Sequence, residues 1–389
     1  MAQADMGAPV GPNNAPARGQ AGANGADKDK RQEGYYVASQ WQLMWWKFIK
    51  HRLATVAWPV LLILYISALF ADFLSPTLPD TRYTDYKEMG PQAIRFTDDK
   101  GLTAPFVYGV KRETDPETFL RTFVIDKSTR YPVQFLGHGE PYDLLGLFRT
   151  DVHLFVCKDG PAFILGTDKL GRDVFTRTLY GSRISLSIGL MGIVITFALG
   201  LFLGGISGYL GGPIDTVIQR TIDLIICIPT IPLWMALAAA LPRDWPSTRM
   251  YFGIVLITSA INWVGLARVV RSKLLSLREE DFCMAARLAG ASDMRIIWRH
   301  LIPSFASYII VSLTLSIPGT ILGETALSFL GLGLQPPVVS WGVLLQDAQN
   351  LETIAHHPWL LWPAAWVVVT VLMFNFLGDG LRDAADPYK

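Results

Sequence analysis

The chain predicts an all-α membrane protein of six transmembrane helices, with a small mixed insert outside the membrane between helices 1 and 2. Three observations carry that expectation. Hydrophobic residues make up 51% of the 389 and charged residues only 17%, below the roughly 25% usual in soluble domains. Six apolar runs approach the roughly 20 residues a helix needs to cross a bilayer core. Lys and Arg, finally, gather at the ends of those runs in a pattern that fixes one orientation.

In order, the runs are approximately 53–71, 184–205, 224–241, 251–270, 306–322 and 359–377. Pro229 and Pro232 interrupt the third, which a span tolerates when neighbours satisfy the freed carbonyls. "WQLMWW", just before the first run, is a candidate aromatic belt. That run begins more than 50 residues in and is long, so it reads as a stable anchor rather than a cleaved signal. Residues 1–34 are rich in Ala, Gly, Asn and Pro with almost no large apolar groups. They cannot offset the entropy of ordering, and 1–40 is expected to be a disordered cytoplasmic tail.

Lys47, Lys50 and Arg52 precede the first span and place the N-terminus in the cytoplasm. Six crossings return the C-terminal tail, 381–389, to the same side. The segment between spans four and five also falls inside, with seven Lys/Arg against four Asp/Glu from Arg268 to Arg299. Arg172, Arg177 and Arg183 fall outside before span two, against the rule. The organisation expected is a first helix at 41–74, an external insert at 75–165 and a core of spans at 166–380 with a cytoplasmic loop at 275–303. The insert's β-rich runs, split by Gly and Pro, read as strands and turns. From 72 to 166 it holds 14 Asp/Glu and 11 Lys/Arg, a mild charge that diagnoses nothing. "GTDKLGRDVFTRTLYGSRISLSIG" reads as an amphipathic helix leading into span two.

The cytoplasmic stretch "EEDFCMAARLAGASDMRIIWRHLIPS", 279–304, is charged and well patterned for helix, yet lies between two membrane runs. A helix through Met284, Ala285 and Ala286 ends at Gly290, a fitting C-terminal residue. Ser292 then N-caps a second helix that runs to Pro303. Such a hairpin, with small residues on its surface, is shaped to fit a groove on a partner.

Here the sequence resembles the "EAA loop" permease subunits of binding-protein-dependent ABC importers. The carriers are Ala285-Ala286, Gly290 and His300-Leu301-Ile302-Pro303. Met284 stands where the loop's namesake glutamate would be, and His300 replaces an isoleucine. Both departures resemble the dipeptide, oligopeptide and nickel branch. "GTDKLGRDVFTRTLYGSRISL" resembles that branch's segment before span two, and "ETALSFLGLGLQPPVVSWG" its segment after span five. The resemblance implies a type I importer permease, multi-pass in a bacterial cytoplasmic (inner) membrane. It implies that Met284, Ala285, Ala286, Arg287, Gly290, Ala291, Ser292, Asp293, Arg295 and Pro303 form the coupling loop seated in an ATPase subunit. Two ATP-binding subunits, a homologous second permease and an external solute-binding protein are the implied partners, with ATP and Mg held by the ATPases. The insert would touch the binding protein or the second permease. The solute implied is peptide-like; oligosaccharides, opines and nickel complexes stay open.

Other chemistry is weakly signalled. A Gly-x-x-x-x-Gly-Lys-Ser/Thr loop is absent, so the chain lacks a P-loop. The histidines lack metal spacing, and a net charge of +1 makes no case for nucleic acid. No catalytic residue and no cofactor of the chain's own is expected. Cys157, Cys227 and Cys283 fall in different compartments and should not pair. Glu324, at membrane depth where a carboxylate is costly, reads either as lining a translocation path with Ser328 and Gly331 or as capping a short outer helix. Gly200, Gly204 and Gly208 share one face of span two and would admit a close helix neighbour. Asp215, Asp223 and Arg220 read as an interfacial cluster. A proton-driven secondary transporter would show two matching halves and several buried carboxylates, and neither is visible.

Overall fold

The computed structural model describes residues 39–386 apart from 99–100, 115, 117–120 and 243. The expected tail therefore lies outside the described residues up to 38, as do 387–389. The chain is helical from α1, Gln40–Lys50, where Ser39 and Gln42 form a reciprocal capping box. At His51 the backbone turns extended, and its Nδ1 accepts the Ala54 N–H at 3.1 Å, starting α2, Arg52–Leu69. A short turn of helix, α3 (Ala71–Leu74), leads into the insert.

The described residues of the insert are built mainly of strands. Strands β1 (Arg95–Asp98), β2 (Gly101–Thr114), β3 (Arg121–Leu144) and β4 (Phe148–Cys157) form one antiparallel meander in the order β1-β2-β3-β4. The only helical piece among the described residues of 75–165 is a single 3-10 turn, Thr84–Tyr86. Val107, Val133, Phe155 and Ala162 form its core, against which Phe175 packs.

Helix α4, Val174–Leu210, begins ten residues before the expected span because Asp173 caps it, accepting from the Phe175 and Thr176 N–H groups at 3.3 and 2.9 Å. The preceding stretch, expected to be helical, is a turn through Gly171, which sits at φ +77°. At 37 residues, α4 is roughly 55 Å long. One end meets the insert, and the other carries Tyr209.

The third expected span is a correction. It is two helices, α5 (Gly212–Cys227) and α6 (Thr230–Ala239), bent by 91°. Ile228, before Pro229, is extended at ψ 128°, as the residue preceding a proline prefers. The rest of the membrane core is α7 (Ser247–Leu277), the hairpin helices α8 (Asp281–Leu288) and α9 (Asp293–Ile296), α10 (Ala306–Phe329), α11 (Trp341–Gln346), α12 (Leu351–His356) and α13 (Trp362–Ala385). Among the described residues, five helices are long and apolar enough to cross a membrane, and the α5–α6 pair makes a sixth if it is counted as one span. Helix α13 continues to Ala385, into the first of the residues expected as a tail.

The long helices α4 and α7 pack along one another, and α10, α13 and α2 complete the bundle. Gly200, Gly204 and Gly208 lie buried on the α4–α7 contact. A Cβ on Gly204 would stand 2.6 Å from the Ala267 carbonyl oxygen, and one on Gly208 would stand 2.8 Å from the Arg271 Cα. Backbone-to-backbone approach of this kind admits no larger residue.

The three arginines that broke the charge rule are neutralised in place. Arg172 Nε and Arg177 Nη1 donate to Asp168 Oδ2 at 2.7 and 2.5 Å, with Asp347 nearby. Arg183 donates to both Asp72 oxygens and to the Ala68 and Leu69 carbonyls. Arg271 pairs with Asp215 and Arg268 with Asp223, each at 2.5 Å. The expected α5 cluster is therefore a set of ion pairs from α5 to α7.

Candidate functional site

The hairpin 279–304 sits at the end of the bundle opposite the sheet. Its inner side is apolar and keyed into the helices. Cys283, Ile296, Ile297 and Leu301 are buried against Tyr209, Leu266, Val270, Leu274, Phe305 and Ile309, contributed by α4, α7 and the start of α10. Burying these four side chains stabilises the hairpin by about 1.5–3 kcal/mol per large residue.

Between the two arms, Gly290 lies at φ +80° with open space around it. The Ala291 N–H donates to the Ala286 carbonyl and the Gly290 N–H to the Arg287 carbonyl, at 3.0 and 2.9 Å. That is a Schellman closure of α8, and it sets the angle of the elbow. Ser292 occupies the N-cap position of α9, but its hydroxyl makes no capping bond. The second arm is not one α-helix: α9 gives way to a π-helical turn at Ile297–Leu301, and Pro303 falls in the last turn, Ile302–Ser304, before α10.

Polar bonds brace the elbow from behind. The Tyr209 hydroxyl donates to Asp293 Oδ1 at 2.7 Å, and Arg287 Nε donates to the Tyr209 oxygen at 3.3 Å. The Arg287 guanidinium also lies 5.2 Å from the Tyr209 ring centroid. This contact with Tyr209 holds the Arg287 guanidinium above its usual range. Tyr209, at the end of α4, carries no signal in the sequence that marks it as a site residue. Arg287 and Asp293 are engaged with it and remain exposed, as is Arg295.

The outer side is open and mixes large apolar residues with charged ones such as Asp281, Arg295 and Arg299. Phe282, Met284, Leu288, Met294 and Trp298 are exposed, Leu288 at 88%. Ala285 is exposed among them, and Ala286 and Ala291 are half-buried. Small residues flanked by large apolar ones make a surface that closes onto a groove.

Glu324 is the second site. It lies well inside α10 and is 0% exposed, so it caps no helix. Its Oε1 accepts from the Ser328 and Ser340 hydroxyls at 2.8 and 2.7 Å, and its Oε2 from Ser185 at 3.3 Å. Ser340 also caps α11 through Val343 N–H, and Ser185 accepts from Trp341 N–H. The carboxylate thus ties α4, α10 and α11 together. Ser328 belongs to this cage and accepts from Leu334 N–H. Gly331 lies outside it in the turn after α10, at φ +74°. Among the described residues, no three His, Cys, Asp or Glu side chains converge as a metal site. The three cysteines are unpaired.

Fold and hairpin together define a multi-pass membrane protein with an exposed helical elbow at one end of the bundle. Residues 181–388 match the model of the binding-protein-dependent transport system inner membrane component family, and 39–91 match that of the N-terminal TM domain of oligopeptide transport permease C. The chain belongs to the binding-protein-dependent transport system inner membrane component family, and it is an inner-membrane permease of the ABC importer kind, a class that works with ATPase and other partner components. Residues 92–180, which include the sheet, lie between the two matches. The chain is 43% identical over 224 residues to the dipeptide transport system permease protein DppC of Bacillus subtilis, covering 57% of this chain and 68% of that one. It is 41% identical over 223 residues to the oligopeptide transport system permease protein OppC of Haemophilus influenzae, covering 57% and 69%. A putative peptide permease protein of Brucella suis is 38% identical over 240 residues, covering 61% and 78%.

Proposed function

We propose that the chain is a permease subunit of an ATP-driven importer of peptide-like solutes, paired with a homologous second permease and two ATP-binding subunits. An external solute-binding protein delivers the solute. The insert faces outward, and the hairpin and both termini face the cytoplasm. The chain catalyses no bond chemistry and holds no cofactor; ATP and Mg belong to the ATPases. Solute crosses by alternating access, in which closure of the ATPases re-aims the helices.

The observation that carries this reading is the two-sided hairpin. Its apolar back is packed on α4, α7 and α10, and its front, which carries exposed Phe282, Met284, Leu288, Met294 and Trp298 among charged residues, is open. Whatever grips Met284, Ala285 and Leu288 moves those three helices as a body. Packed elements respond to such a push by switching between discrete arrangements. The peptide class rests on the dipeptide and oligopeptide permeases to which the chain is similar. Reconstituting the assembled transporter in vesicles tests it. ATP-dependent uptake of short peptides supports the reading, and uptake of another solute class with indifference to peptides removes it.

A further inference from the structure

The β3–β4 hairpin ends in an apolar turn, "LLGLF" at 144–148. Leu145, Leu147 and Phe148 are exposed, the last two at 74% and 68%. Leu145 adopts φ +54° and Gly146 φ +68°. The left-handed region disfavours a bulky side chain, and turns of this kind usually carry Asn, Asp or Gly there. A leucine held in that conformation at a solvent-facing tip contributes nothing to the sheet's core, whose residues lie elsewhere. Charged residues begin only at the shoulders, Asp143 and Arg149.

Where the tip points follows from its neighbours. Near the other end of β4, Phe155 meets Phe175 in the first turn of α4, ring centroids 6.1 Å apart. Two residues towards the tip, His153 is buried with Nδ1 2.5 Å from the Ser75 carbonyl oxygen, just past α3. Closer still to the tip, Tyr142, paired with Thr150, packs on the His153 ring, centroids 4.8 Å apart. Thr176, beside Phe175, meets Thr77 at 3.4 Å, and Ser75 is two residues nearer the bundle along the chain, so the step from Phe155 to His153 runs towards α3. The hairpin therefore descends along the bundle as it approaches its turn. Asp72, Arg183 and Tyr180 make an interfacial layer here, with the arginine 5.2 Å from the tyrosine ring centroid. Beyond Tyr142 the tip extends roughly 10 Å more. It reaches the level of the last turns of α2, where Ile63, Ile66 and Leu69 present an exposed apolar face to the bilayer.

We propose that the 144–148 tip is a membrane anchor that seats Leu145, Leu147 and Phe148 in the leaflet on the insert side, among phospholipid acyl chains. Continuity with the lipid-facing belt of α2 and the absence of charge between the shoulders favour lipid over a protein partner. Arg149 at the shoulder reaches phosphate while the tip lies below it. The anchor fixes the tilt of the sheet relative to the membrane, and so the platform on which any external partner lands.

The test uses the full chain in its assembled complex, with Cys157, Cys227 and Cys283 replaced by alanine and a nitroxide label at Leu147→Cys, in vesicles of phosphatidylethanolamine and phosphatidylglycerol. A second label at Phe148→Cys covers the case in which the first variant fails to assemble, and Lys127→Cys on β3 supplies a water-exposed reference. Seating in lipid predicts a severalfold higher ratio of oxygen to nickel-chelate relaxation at 147 or 148 than at 127. A ratio equal to that at 127 means that the tip stands in water and overturns the proposal. Protection from both reagents means that a protein covers the tip and overturns it equally.

Discussion

Tyr209→Phe probes the elbow with the smallest possible change. It removes one oxygen, which donates to Asp293 at 2.7 Å and accepts from Arg287 at 3.3 Å. Bonds to charged groups contribute about 1.5–3 kcal/mol when sheltered. Asp293 and Arg287 are both exposed, so screening brings the pair down to about 1–1.5 kcal/mol. The ring stays, and with it the cation–π contact, worth about 0.5–1 kcal/mol at an exposed site. A loss of about 1.4 kcal/mol raises the detached population of the hairpin roughly tenfold. Hydrogen exchange reads that population directly: amides of 281–296 should exchange about tenfold faster, while those of α10 are unchanged. In reconstituted transporter the same variant should hydrolyse more ATP per solute moved, because closure of the ATPases is transmitted through a looser joint. Unchanged exchange at 281–296 together with unchanged coupling would refute the reasoning.

Gly204→Val should force α4 from α7, since even a Cβ would stand 2.6 Å from the Ala267 carbonyl oxygen; overpacking of this kind costs about 1–3 kcal/mol, read as a lower melting temperature in detergent. Glu324→Ala removes the acceptor of three buried hydroxyls and should destabilise by about 3 kcal/mol or more, with Glu324→Gln losing less; equal melting temperatures for Ala and wild type would exclude the cage. Burial raises the Asp173 carboxyl to about 6. A raised carboxyl binds its proton more tightly in the folded state, so its contribution is complete below about 4, the usual carboxylate range, and is lost as pH rises through about 6. Asp173→Asn keeps a capping side chain and should flatten that part of the pH dependence of the melting temperature, a difference of order 2–3 kcal/mol between its ends.

The spans were legible because a bilayer imposes length and apolarity on each helix separately. The hairpin was legible for a related reason: charge, small residues and a glycine were gathered between two spans, where lipid would not tolerate them. The break in the third span was half visible. Pro229 marked it, but a 91° bend depends on what α6 packs against, namely Ile254, Ile257 and Leu327 from distant parts of the chain. Tyr209 was invisible as a site residue because it lies some 80 positions from its partners. The Glu324 cage was invisible for the same reason: two of its hydroxyl donors, Ser185 and Ser340, lie far from it in sequence or in another element. The partners of Arg172, Arg177 and Arg183 were not visible in sequence either: Asp72, Asp168 and Asp347 stand beside them only in the fold.

Force transmission through the hairpin is tested most directly by cross-linking from Leu288, whose side chain is the most open on its outer face. A photoreactive group at that position in the assembled transporter should capture an ATP-binding subunit, with a yield that changes between nucleotide-free and ATP-bound states. Capture of no ATPase in any state, or labelling of position 288 by a membrane-impermeant reagent from the insert side, would contradict the account.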